Sequence, residues 1–209
     1  MTAHLGDFGN FPTTTRRAAA AKVVGGIPKS GSAGLVVAFA GAVVVRAALA
    51  GPAGARSVSA SLTFATVLAL IAVGCRVRPE FSVRTVSIGV GIAAVLVLPA
   101  ALHLGVRASL PPGTFASWAM LTAFVAGAEE AFLRGALFDA VQRRHSADAA
   151  VVVAALAFAA LHVPLYGWHV VPLDFAVGLV LGATRLVAGT WTAPAIAHVG
   201  ADLGGWWLL

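Results

Sequence analysis

Charge is the scarcest commodity in this sequence. Lysine, arginine, aspartate and glutamate together make up 11% of 209 residues, while 59% are hydrophobic. A soluble domain carries about a quarter charged residues, so the composition excludes an ordinary water-soluble globule and predicts a membrane protein. Acids are scarcer than bases, eight against fourteen, for a formal net charge of +6. The bases are scattered, and in a membrane protein such charge records orientation rather than nucleic-acid binding. No nucleic-acid partner is expected. Cysteine occurs once, as Cys75 at the end of an apolar run, which excludes an internal disulfide and any multi-cysteine zinc site. No internal repeat and no separate soluble domain is visible.

What is present is a series of apolar runs. A bilayer crossing needs about twenty such residues, and seven candidates occur, at roughly 33–51, 59–75, 86–105, 115–142, 149–165, 170–187 and 190–208. Gly-Pro, Pro-Pro-Gly, Arg-Arg-His-Ser and similar breakers separate them. The expected fold is therefore all-α: a polytopic transmembrane helical bundle of about seven spans over 33–208. Residues 1–32 are polar, with Arg16, Arg17, Lys22 and Lys29, and read as a cytoplasmic tail rather than a signal peptide. With the N-terminus inside, ten lysines and arginines fall on the cytoplasmic side: those four with Arg76, Arg78, Arg84, Arg143, Arg144 and Arg185. Only Arg46, Arg56 and Arg107 fall outside, which favours a cytoplasmic N-terminus. Trp118, Trp168, Trp206 and Trp207, with Tyr166, then line the outer interface as an aromatic belt. Gly178 and Gly182, and again Gly200 and Gly204, have the spacing that lets helix backbones approach closely. A multi-pass protein of the cell membrane is expected, with lipid as its first partner.

A few ionisable residues remain at depth: Glu129, Glu130, Arg134, His162, His198 and Asp202, with Asp174 and His103 nearer span ends. Burying such groups in a bilayer costs a few kcal/mol or more, so they usually face the bundle interior and carry function. At about 1.5 Å of rise per residue, Glu129 stands about 21 Å from the cytoplasmic end of its span and His162 about 20 Å from the same end of the next. His198 and Asp202 stand about 12 and 18 Å up the last span. Three helices thus bring Glu, His, His and Asp towards one layer. Glu130 and Arg134 are i and i+4, the spacing of an ion pair. Glu129 points about 100° away around the helix and has no such sequence neighbour, which leaves it as the free carboxylate. His198 and Asp202 share a face, as do Phe158 and His162, whose rings can pack together.

The residue types leave four readings open. Glutamate and histidine in an apolar pocket suit general-base work on a water. Glu129, His162, His198 and Asp202 are also the kind of oxygen and nitrogen set that holds catalytic zinc. A proton or ion pathway uses the same groups in membranes, and structural hydrogen bonds between helices would use them too.

The ordered motifs Glu129-Glu130-x-x-x-Arg134, Phe158-x-x-x-His162 and His198-x-x-x-Asp202, on three separate apolar spans, resemble those of the CAAX-protease and bacteriocin-processing family of intramembrane proteases. Ala-Pro-Ala-Ile-Ala before His198 resembles that family's entry into its last motif, and the likeness covers about 115–208, the protease-like core. The resemblance implies an intramembrane endopeptidase acting on membrane-associated peptide or protein substrates. Glu129 and His162 would activate the water, and His198 and Asp202 would stabilise the oxyanion. Glu130, Arg134 and Phe158 would be supports. The family has been described as metalloprotease and as metal-independent glutamate protease; the resemblance favours a metal-free site, with zinc held by Glu129, His162, His198 and Asp202 as the alternative. Asp202 stands where asparagine also occurs; an ionised aspartate only accepts hydrogen bonds, which tilts its role towards orienting His198 or ligating a metal. The competing functions are a non-catalytic membrane immunity or scaffold protein that binds a peptide partner, and a small proton-coupled transporter. HExxH, a serine-protease GxSx in a suitable span and a paired YD/GxGD are all absent from the sequence.

Overall fold

A computed structural model describes residues 31–104 and 112–206. The expected tail with Arg16, Arg17, Lys22 and Lys29, Arg107, Trp207 and the side chain of His103 lie outside the described residues. Every described element is helical: α1 (Ser32–Ala50), α2 (Val58–Gly74), α3 (Val83–Leu104), α4 (Pro112–Glu130), α5 (Phe138–Gln142), α6 (Ala147–Tyr166), α7 (Val171–Ala188) and α8 (Thr192–Gly205). A π-helical segment, Ala131–Leu137, joins α4 to α5, so the fourth apolar run is one helix with a widened turn after Glu130. Each of the seven expected runs is thus helical among the described residues.

Among the described residues four helices are long and apolar enough to cross a membrane: Ser32–Arg56, Val83–Leu102, Ala147–Tyr166 and Trp168–Ala188. Val58–Gly74 is apolar but has 17 residues, about 25 Å of rise against a hydrocarbon core of about 30 Å. Of the remaining two expected spans, α4 ends in two glutamates and α8 has only 14 residues, so neither is singled out as a long apolar helix.

Local chemistry starts and stops these helices. Ser57 and Ser146 cap α2 and α6, each side-chain oxygen accepting the N–H three residues on, from Ala60 and Ala149. Asp148 adds a favourable charge in the first turn of α6. Gly189 ends α7 at φ 76°, the left-handed conformation that glycine adopts without a Cβ clash.

The glycine pairs do what their spacing suggests. α7 packs on α6, and a Cβ at Gly178 would lie 2.8 Å from Ala155 Cα, one at Gly182 2.8 Å from Val151 Cγ1. α8 packs on α3 in the same way, with Gly200 against Ala93 and Gly204 against Val97. The core follows the long helix: Phe132, Leu133, Leu137 and Phe138 are buried with Phe39 of α1, Phe64 and Leu68 of α2 and Phe158 of α6. Phe39 and Phe132 stack with centroids 5.3 Å apart. Large apolar side chains such as Val37, Leu70, Leu102 and Met120 face outward, as lipid-facing surface requires.

The two ends differ. Phe115, Trp118 and Trp206 form one aromatic cluster, with the tryptophan centroids 4.7 Å apart. At the other end Arg84 donates to Val187 O, Trp191 donates to Arg78 O, and Gly31 lies beside Arg144. Arg46, counted above with the outer loops, is instead buried inside the bundle.

Candidate active site

Glu130 and Arg134 meet as their spacing requires, Arg134 Nη1 donating to Glu130 Oε1 at 2.7 Å with both side chains fully buried. The π segment begins at the residue after Glu130 and contains Arg134. A π turn breaks the regular hydrogen-bond ladder and is frequent at functional sites. Here α7 secures it in both directions: Arg134 Nη2 donates to Gly178 O at 3.1 Å, and Arg185 Nε donates to Arg134 O at 3.0 Å. Arg185 is fixed in turn by Asp139 at 3.1 Å. The small residue at 178 therefore serves twice, letting α7 approach α6 and presenting its carbonyl to the buried guanidinium.

Glu130 also reaches α8. His198 Nδ1 stands 3.1 Å from Glu130 Oε1, and its Nε2 stands 3.5 Å from Asp202 Oδ2. The second distance lies at the limit of a hydrogen bond, so Asp202 is an electrostatic neighbour on the more open side, its side chain 43% exposed. Glu130 Oε2 and Arg134 Nε are buried with no partner among the described residues.

His162 presents Nδ1 to the carbonyl of Phe158 at 3.1 Å and to Asp174 Oδ2 at 3.3 Å. A carbonyl oxygen only accepts, so Nδ1 carries the hydrogen and Nε2 is the nitrogen left for chemistry. Phe158 is the hub of the arrangement. Its ring lies edge-on to His162 at 4.9 Å and to His198 at 5.2 Å, with the Arg134 guanidinium 5.0 Å from its centroid. Arg134 of the π segment, His162 of α6 and His198 of α8, one residue from each motif, thus meet around one phenyl ring.

Glu129, expected to be unpartnered, is not. Arg46 Nη1 of α1 donates to its Oε1 at 3.2 Å, leaving Oε2 without a partner among the described residues. Spacing arguments reach only neighbours on one helix, and Arg46 is 83 residues away. Its signal is a lone arginine within Val-Val-Val-Arg-Ala-Ala-Leu, which by sequence alone resembles an interfacial charge. Asp174, beside His162, lies near a span end by sequence; its signal is likewise a single acid inside an apolar run.

The zinc alternative fits this geometry poorly. Among the described residues no group of three or more His, Cys, Asp or Glu side chains stands together as a metal site. His198 turns both ring nitrogens towards carboxylates of its own chain, and His162 turns Nδ1 to a carbonyl. A separate apolar cavity of about 490 Å³ lies between α3, α4 and α8, lined by Val90, Gly127, Ile196, Val199 and Leu203 among others, and none of the ionisable residues above lines it.

Comparison with known proteins identifies a family for part of the chain. Residues 111–204 fit the family model described as "Rce1-like: Type II CAAX prenyl endopeptidase Rce1-like". No curated protein and no solved structure matches the chain. The matched segment contains Glu129, Glu130, Arg134, Phe158, His162, Asp174, His198 and Asp202, whereas Arg46 lies outside it.

Proposed function

We propose, from the fit of residues 111–204 to the Rce1-like family model, that the protein is an intramembrane endopeptidase that hydrolyses peptide bonds of membrane-associated peptides or proteins. The observation that carries this reading is the meeting of one residue from each motif, Arg134, His162 and His198, around Phe158, inside a bundle with large apolar side chains facing outward.

In this reading Glu129 and His162 act on one water. The water oxygen bonds to the scissile carbonyl carbon as its proton passes to Glu129 or to His162 Nε2. The carbonyl π pair moves onto oxygen, where His198, through Nε2–H, and Asp202, when protonated, donate to it. Collapse of the intermediate breaks the C–N bond, and the departing amine takes the transferred proton. Glu130 keeps Arg134 in place and holds His198 through Nδ1, so its role is positional. Asp174 and the Phe158 carbonyl fix the His162 tautomer. No step is routed through a metal.

The pairing of each carboxylate in the cluster with a nitrogen base favours a second reading, a non-catalytic immunity or scaffold protein in which the network only ties helices together. The two are separated by reconstituting the purified protein in liposomes with membrane-spanning test peptides, prenylated and unprenylated, and identifying new termini by mass spectrometry. Cleavage that disappears in His162→Ala while the variant stays folded supports hydrolysis. No cleavage of any peptide by folded wild type favours the scaffold.

A further inference from the structure

Arg46 is the one charged residue of α1, and its surroundings are not those of an interfacial arginine. It is 8% exposed, its guanidinium lies 4.6 Å from the Phe64 ring centroid of α2, and its Nη1 is 3.2 Å from Glu129 Oε1. Among the described residues it is the one cation in ion-pair contact with Glu129. The neighbouring Arg134 is already committed to Glu130 and Gly178, so the two glutamates draw on separate arginines from separate helices. A buried carboxylate needs a counter-charge to stay ionised, and a general base must be ionised to take a proton. Arginine cannot give up its own proton in exchange. Arg46 also engages only Oε1, which leaves Oε2 as the oxygen that can face water.

From this geometry we propose that Arg46 is a positioning residue of the active site: it holds Glu129 charged and oriented, with Oε2 presented to the attacking water. The catalytic apparatus then extends beyond the matched segment, with α1 supplying the arginine and α2 the aromatic face on which it rests. The proposal rests on the endopeptidase reading. As the water proton moves to Glu129, negative charge leaves that carboxylate and appears on the substrate oxygen. Arg46 stays cationic throughout, and its Nη2 and Nε make no hydrogen bond among the described residues.

The test compares wild type, Arg46→Gln, Arg46→Lys and Glu129→Gln in liposomes, with kcat expressed per folded molecule and KM determined separately. Arg46→Gln is expected to lower kcat by about 100-fold, the lower end of what a general base contributes, with KM little changed. Arg46→Lys keeps the charge but not the fork, and is expected to retain about a tenth of wild-type kcat. A structural role alone would reduce the folded amount and leave kcat per folded molecule unchanged, and that result overturns the proposal. Should Arg46→Gln fail to fold, Arg46→Lys decides: wild-type kcat there overturns it equally. An activity that needs Glu129 but ignores Arg46 removes this proposal alone. Absence of cleavage by wild type removes the endopeptidase reading and this proposal with it, whereas full cleavage by Glu129→Gln removes Glu129 as the base, and so this proposal, while the endopeptidase reading stands.

Discussion

Removing Glu130 should damage the fold before it touches chemistry. Arg134 is fully buried and has two recorded acceptors, Glu130 Oε1 at 2.7 Å and Gly178 O at 3.1 Å, while its Nε has none. Glu130→Ala takes away the shorter bond and the counter-charge together, leaving a dry guanidinium on one backbone carbonyl. It also strips His198 Nδ1 of its partner. Breaking a buried pair by deleting one member costs about 3–5 kcal/mol. Replacing both members with apolar residues of similar size, as in Glu130→Leu with Arg134→Met, leaves no stranded charge and should restore stability to near wild type or above. The assay is reversible unfolding in mixed micelles, followed by tryptophan fluorescence, for wild type, both single variants and the double. Two results would refute the reasoning. One is a Glu130→Ala loss of no more than about 1 kcal/mol, the range of an exposed pair. The other is a double variant less stable than either single.

Other expectations follow from the same contacts. Gly178→Ala pushes a methyl group to 2.8 Å from Ala155 Cα, a backbone atom that cannot turn aside. It should cost about 1–3 kcal/mol in unfolding measurements, and more than Gly182→Ala, whose nearest neighbour is the movable Val151 Cγ1. Arg185→Gln removes the donor to Arg134 O and the ion pair with Asp139; a loss of about 1–3 kcal/mol and lower activity are expected, and wild-type values for both would contradict the role given to it. Asp202→Asn supplies an amide that donates where an ionised carboxylate only accepts. Cleavage should persist or rise and should survive chelator and dialysis, whereas one equivalent of zinc lost from this variant would contradict a metal-free site.

Helix-local relationships were legible in the sequence, and interhelical ones were not. Glu130 with Arg134 and Phe158 with His162 follow from the 3.6-residue period alone. The seven apolar runs are helical because residue hydropathy and breaker residues act locally, and the glycine spacing marked which faces would pack. It did not say against which helix, since Ala155 and Val151 enter only through tertiary contact. Arg46 with Glu129, Glu130 with His198 and His162 with Asp174 join different helices, and no periodicity connects them. Depth counting brought glutamate and histidines to one layer but could not rank partners within it. The π segment left no sign, because Ala-Phe-Leu-Arg-Gly-Ala-Leu suits an ordinary helix; the groups that hold the widened turn, the Arg185 donor and the Gly178 carbonyl acceptor, lie on α7.

The most direct test of the water-activating role sets Glu129→Gln against wild type in a liposome cleavage assay, with folded protein measured in the same samples. Glutamine keeps the shape and cannot take the water's proton. Folded, inserted Glu129→Gln that leaves every test peptide intact, alongside wild type that cuts, is the expected result. Cleavage by Glu129→Gln at the wild-type rate would contradict the assignment of Glu129 as the base.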